Sequence, residues 1–154
     1  MSRRIPYLAG RERPANLALL MREAFVTLND IVVSRLVAQG HDAVRPAHGV
    51  VFQFLDDTGT TVSVLAERAQ MTKQAMAELV QHLETHGYLT RVPDPRDRRA
   101  KLVLPTDRGQ QVIAIAQALV PELEARVIRL LGADRTEALR EDLETIRSEF
   151  ANVR

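Results

Sequence analysis

Apolar residues recur at helical spacing along most of the chain, and six segments follow from that period. Leu17, Leu20, Met21, Ala24, Phe25, Leu28, Ile31, Val32 and Leu36 predict a long amphipathic helix over about 14–39, with Pro14 in its first turn and Gly40 as terminator. That stripe is longer than a small core needs, which points to a partner helix. A turn containing His41, Asp42 and Pro46 leads to a helix over about 46–56 carrying Val50, Val51, Phe54 and Leu55, closed by Asp56-Asp57-Thr58-Gly59. Thr61–Ala69 reads as a short helix capped by Ser63 or Thr61. Gln70-Met71-Thr72 is a turn, and Thr72 caps a longer helix to about His86, stopped by Gly87. Its buried face uses Ala75, Met76, Leu79, Val80 and Leu83.

The period then changes to two. Tyr88–Val92 and Ala100–Leu104 alternate like paired strands around a proline-broken basic loop, Pro93–Arg99. Thr106 caps the next helix, with Asp107 in its first turn and apolar positions from Val112 to Leu131. Pro121 is expected to kink or divide it. Gly132 ends it, Asp134-Arg135-Thr136-Glu137 reads as an aspartate capping box, and the last helix carries Ala138, Leu139, Leu143, Ile146 and Phe150. Two helices joined by a short turn, with small Ala66 and Ala69 where they approach, form a helix-turn-helix. A β-hairpin with a basic tip directly after it makes a winged helix. The expected fold class is mainly α (α+β): a winged helix-turn-helix with a small β-hairpin wing, flanked by long N- and C-terminal dimerisation helices.

Composition narrows the function. At 154 residues, 45% hydrophobic and 27% charged, the chain has ordinary globular usage and the size of one domain. No apolar run approaches the length of a membrane span, and no signal-peptide core follows the basic start, so a cytoplasmic protein without membrane contact is expected. The absence of cysteine excludes disulfides, Cys-ligated zinc, iron–sulfur clusters and a thiol switch. Net charge is only +1, but it is unevenly spread. Arg91–Lys101 holds five basic residues against two acidic, and Met1–Arg13 four against one, so each cluster carries +3 on an otherwise acidic body. Such clusters suit local phosphate contacts.

The run Asp94-Pro95-Arg96-Asp97-Arg98-Arg99-Ala100-Lys101, followed by Thr106-Asp107-Arg108-Gly109, resembles the wing signature of the MarR family of bacterial transcriptional regulators. Leu83-Glu84-Thr85-His86-Gly87-Tyr88-Leu89-Thr90-Arg91 is similar to that family's recognition-helix exit. The resemblance is dense over about residues 60–110, and the flanking helices match in order and length. It implies a six-helix winged-helix homodimer joined through its first and last helices, a roughly palindromic site on double-stranded DNA, and release by a small anionic or phenolic ligand. The expected division is a flexible basic arm (1–13) and a single MarR-type domain (14–154). Within the latter, 46–109 is the winged-helix DNA-binding lobe, and 14–39 plus 110–154 the helical dimerisation lobe. Two positions depart from the family pattern: Pro105 stands where leucine is usual, and Glu78 where the recognition helix is often basic. Glutamate accepts from a cytosine amino group but does not bind phosphate, so affinity is expected to lean on the wings.

Roles follow from residue chemistry. Thr72, Lys73 and Gln74 occupy the first turn of the recognition helix. Gln74 suits adenine, Lys73 guanine or phosphate, and Thr72 mainly caps. Ala75 either touches a thymine methyl or packs, Gln81 is a backbone candidate, and Ser63 and Thr61 offer hydroxyls to phosphate beside a helix N-terminus. In the wing, Arg98 and then Arg96 are the minor-groove candidates, Arg99 is a further DNA-binding candidate, Lys101 is a backbone candidate, and Asp97 steadies Arg98 or Arg99. The resemblance also implies an effector pocket between the dimer helices and the winged helix, for which Phe25, Val50 and Phe54 with His41, Arg45 and His48 are the candidates, Arg45 pairing with a carboxylate or phenolate.

The expected function is a sequence-specific DNA-binding transcriptional regulator, a repressor acting as a homodimer. The alternatives are a ligand-independent nucleoid-type protein and a protein-interaction module on a winged-helix scaffold. Catalysis is not expected. His41-Asp42 lacks the further ligands of a metal phosphohydrolase, and there is no Gly-rich phosphate loop or nucleophile elbow. His82 and His86, four apart on a helix, have the spacing of a metal chelate but no third ligand; they read as surface histidines, and no metal or cofactor is expected.

Overall fold

The computed structural model describes residues 16–151. The expected basic arm and Pro14 lie outside the described residues. Helix α1 (Leu17–Ala38) begins where Asn16 caps it, its Oδ1 accepting the Leu19 N–H at 2.9 Å. Asparagine is among the best N-caps, which sets the start three residues past Pro14. Gly40, at φ +89°, closes the other end, donating to Val37 O at 3.0 Å.

The second helical segment is shorter than the pattern suggests. A 3-10 turn (Pro46–His48) leads into α2 (Gly49–Phe54), and the chain is extended at Leu55. The Asp56 N–H, which would continue the helix, donates instead to Thr60 Oγ1 at 2.9 Å. Helices α3 (Val62–Arg68) and α4 (Lys73–Thr85) form the helix-turn-helix.

The wing is longer and its tip tighter than expected. Strands β1 (Leu89–Asp94) and β2 (Asp97–Pro105) pair antiparallel from Leu89↔Pro105 to Pro93↔Lys101, with a register irregularity before Asp94↔Asp97. The basic loop is therefore mostly strand, and only Pro95-Arg96 lies between the two strands. Two aspartates tighten it: Asp94 Oδ1 accepts the Arg96 N–H, and Asp97 Oδ1 the Arg99 N–H, both at 2.9 Å. Tyr88 precedes β1 as a fully buried core residue. Thr60 adds a third rung, donating to Val103 O at 3.0 Å and accepting the Val103 N–H at 2.8 Å.

Val51, Leu65, Met76, Val80, Leu83, Tyr88 and Val103 are buried at the centre of this region, joined by Val112 of α5 (Asp107–Leu131). Of the expected buried face of α4, Met76, Val80 and Leu83 are fully buried, and Ala75 and Leu79 half-buried. Helix α5 is continuous through Pro121, which does not divide it. Pro121 and Gln117, whose carbonyl loses a partner there, are both exposed, so water can supply the missing bond. Gly132, at φ +87°, joins α5 to α6 (Ala133–Phe150). The expected aspartate capping box does not form. Gly132 takes the cap position, which puts Asp134 inside the first turn, where its charge meets the helix dipole.

The described residues divide into two compact units after Ile115. The first contains α1 and the winged helix. In the second, Arg140 ties α6 to Glu124 of α5 at 2.7 Å. Among the described residues, no helix is long and apolar enough to cross a membrane.

Candidate nucleic-acid interface

The two helices of the motif start on threonine caps. Thr61 Oγ1 accepts the Val64 N–H at 3.3 Å, and Thr72 Oγ1 the Ala75 N–H at 3.1 Å. Thr61 is thus the cap of α3, and Ser63 stands exposed in its first turn. Between the helices, Gln70 takes φ +53°, and the Met71 N–H returns to the buried Ala66 carbonyl at 2.9 Å. Thr72, Lys73, Gln74, Glu78 and Gln81 are all exposed on α4. The first turn of α4 holds no acidic residue, so nothing there offsets the positive end of the helix. Gln81 leans along the helix to donate to Thr85 Oγ1 at 3.4 Å.

Arg96, Asp97, Arg98, Arg99 and Lys101 are exposed along the hairpin tip and β2. Strand alternation divides them. Arg98 shares a face with Ala100 and Leu102, whereas Arg99 and Lys101 share the face of Val103. Asp97 holds the backbone of Arg99 through its N–H. Asp94 does the same for Arg96, a role the sequence reading missed; the signal was the repeated Asp-x-Arg spacing.

The base of the wing is fastened at several points. The Arg91 guanidinium meets Glu84 Oε2 at 3.0 Å, joining the last turn of α4 to β1. Arg68 of α3 pairs with Asp56 at 2.9 Å and donates to Phe54 O at 2.8 Å. The Arg68 hydrogen bond to Asp56 holds that carboxyl below the usual range. At Gly59, φ +95°, an added Cβ would lie 2.9 Å from Leu102 Cβ, so the approach to the Thr60 rung requires glycine. Thr106 Oγ1 donates to Gly87 O at 2.6 Å and accepts the Gly109 N–H at 3.2 Å, while the Thr106 N–H donates to Tyr88 O at 3.0 Å. The departure at Pro105 falls on the last residue of β2, opposite Leu89.

The histidines are structural participants. His41 is buried, with Nδ1 3.3 Å from the Tyr88 hydroxyl. Tyr88 also receives a hydrogen bond from Arg108 at 3.0 Å, with the guanidinium 4.5 Å from its ring centre. Burial, and then the Arg108 charge, push the His41 pKa down. His48 is 3% exposed, and its Nδ1 accepts the Arg45 N–H at 2.9 Å. His82 departs from the expected surface position, whereas His86 is exposed. His82 is half-buried and donates through Nε2 to Ala43 O at 2.9 Å; His86 donates through Nδ1 to His82 O at 2.8 Å. Among the described residues, no group of three or more His, Cys, Asp or Glu side chains is placed to hold a metal ion. Of the other ligand candidates, Phe54 and Val50 pack on the core, Arg45 is exposed, and Phe25 is 59% exposed on α1.

This is a winged helix that presents a helix N-terminus and an arginine-bearing hairpin. Residues 44–100, within the winged-helix region, match the model of the MarR family. The transcriptional regulator HosA of Escherichia coli O111:H- is 26% identical over 121 residues, covering 77% of this chain and 90% of its own. Two solved structures share the fold. The transcriptional repressor CouR bound to a 23-mer DNA duplex is 24% identical at a TM-score of 0.67, covering 85% of this chain and 92% of its own. The Staphylococcus aureus MepR–DNA complex is 18% identical at 0.71, covering 88% and 96%. CouR from Rhodococcus jostii has also been solved bound to p-coumaroyl-CoA.

Proposed function

We propose that this chain is a MarR-type regulator that binds double-stranded DNA sequence-specifically as a homodimer, with α4 in the major groove and the hairpin tip at the backbone or minor groove. The observation that carries this reading is the exposed Thr72-Lys73-Gln74 turn beside a hairpin whose Asp94 and Asp97 brace the arginine-bearing backbone. The proposed division of labour gives 46–109 to DNA, and 14–39 with 110–154 to dimerisation. Unpartnered apolar side chains support the second assignment: Leu17 is 62% exposed on α1, and Leu130 and Phe150 are 81% and 65% exposed in the second unit. Repression, and release by an anionic or phenolic small molecule, are the regulatory mode we propose. CouR supports both by its name and by its acyl-CoA complex, and exposed Arg45 supplies a cation for such a ligand.

The test is fluorescence anisotropy with DNA from upstream of the gene and with random duplex, at two salt concentrations. A dimer neutralising about 6–8 phosphates should give a slope of log K against log salt of about −5 to −7. Arg98→Ala is expected to weaken binding to every sequence and to flatten that slope by about 1–2, one contact per protomer. An unchanged affinity removes the wing from the interface. Gln74→Ala is expected to relax preference at one base pair per half-site by about 1–3 kcal/mol; a uniform loss over all operator variants contradicts base readout. Equal affinity for random duplex points to the nucleoid-type alternative, and no binding to any duplex points to the interaction module.

A further inference from the structure

Three of the four histidines form one continuous stack. The His48 and His82 rings lie nearly parallel, centroids 4.5 Å apart at 15°, and His86 continues the column at 4.2 Å and 33°. Hydrogen bonds assign their protons. The Arg45 N–H points at His48 Nδ1, which therefore carries a lone pair; His82 Nε2 and His86 Nδ1 both face carbonyl oxygens and therefore carry hydrogen. His82 is the centre of the arrangement. Its Nε2–H is bonded to Ala43 and its ring is covered by His48, so it fastens α4 to the 43–48 segment. The His86 ring is a second donor to His82 O, which also accepts the His86 backbone N–H at 3.1 Å.

We propose that the His48–His82–His86 stack positions the recognition helix, with His82 as the positioning residue, and that charging the stack loosens this seat so that DNA binding weakens in mild acid. The proposal rests on the DNA-binding reading above. One added proton leaves both carbonyl bonds intact. A second places like charges on adjoining rings 4.2–4.5 Å apart, and the rings separate. Swinging His86 out breaks its bond to His82 O, and moving His82 breaks the one to Ala43.

The charges acting on His48 offer no relief. They are His82, His86 and Arg45, all positive when charged, and with burial as the larger cause they push its pKa down to about 4. Glu84 on α4 is committed to Arg91, and Arg68 on α3 to Asp56. Glu78 and Glu67 are exposed on those two helices, as is Asp42 in the linker. His41 is bonded to Tyr88, α2 carries no titratable residue, and α1 faces the turn through neutral Asn29, which donates to Pro46 O at 3.2 Å.

The sign makes the proposal testable, because plain charge gain by a DNA-binding protein strengthens binding on acidification. We expect the wild-type Kd to rise about tenfold from about pH 7.5 to about pH 5.5 at constant salt, with the helical circular dichroism unchanged. His86→Phe keeps a ring in the column and removes one titrating member. It should bind within about threefold of wild type at the higher pH and lose most of the dependence, and His82→Phe should flatten the profile likewise. Three results overturn the proposal alone: a flat or tightening wild-type profile, a wild-type profile retained in both variants, or a loss of binding that tracks loss of helix. Failure to bind DNA at any pH refutes the DNA-binding reading, and the proposal with it.

Discussion

Gly109→Ala is expected to cost about 3 kcal/mol, lowering the melting temperature by about 10 °C. A Cβ at this position would lie 2.1 Å from the backbone oxygen of Tyr88 and 3.1 Å from Pro105 Cβ. A backbone carbonyl cannot rotate out of the way as a side chain can, so the start of α5 must move from the wing. That movement strains the Thr106 N–H bond to the same Tyr88 oxygen, and the Thr106 hydroxyl bond to Gly87 beside it. Tyr88 is fully buried among the core residues, so the displacement is felt there too. Thermal denaturation of the purified variant checks this; melting within about 2 °C of wild type shows that the approach is looser than these distances state.

The second large effect is acid destabilisation through His48. The unfolded chain takes up a proton near 6.5, whereas the folded site resists until about 4. Between those values the unfolded state binds more protons, so stability falls as pH falls. The stabilisation is fully present above about 6.5 and is lost by about 4; 2.5 pKa units correspond to about 3 kcal/mol. The cost has a structural origin. Protonating Nδ1 sets a hydrogen against the Arg45 N–H that now points at it, in a site 3% exposed. His48→Asn places an amide oxygen near the same point and removes the titration. Urea denaturation at about pH 7 and about pH 4.5 should show wild type losing about 2–3 kcal/mol more than this variant. Equal losses would place the acid sensitivity elsewhere, His41 being the next buried imidazole with a lowered pKa.

Much of the candidate interface was legible from local sequence. Thr72 and Gly87 bracket α4, its apolar residues keep the helical period, and the structure places its ends within a residue of that reading. The hairpin was legible as alternation, and its basic tip as a resemblance. Its length was not, because pairing extends to Asp94 and Asp97 only when the facing strand and two carboxylate-to-backbone bonds are in place. The aspartate capping box failed for a related reason. Asp134 had the right chemistry, but a glycine with positive φ directly after α5 had already started α6. The separation of Arg98 from Arg99 and Lys101 needed the strand register.

The histidines mark the boundary most clearly. As sequence, His48 was a pocket candidate, and His82 and His86 a coincidental pair on a helix. As structure they are one column joining two segments distant in the chain. The same holds for Thr60 on Val103 and for Gly109 under the Tyr88 carbonyl. By itself, the sequence determined the type and order of the elements, most of their ends, and the charge of the wing. Those depend on caps, period and backbone preference acting over a few neighbouring residues. Only the tertiary structure decided which face each arginine shares, which rings meet, and which glycine has no room for a side chain. Those depend on residues that become neighbours once the core has closed.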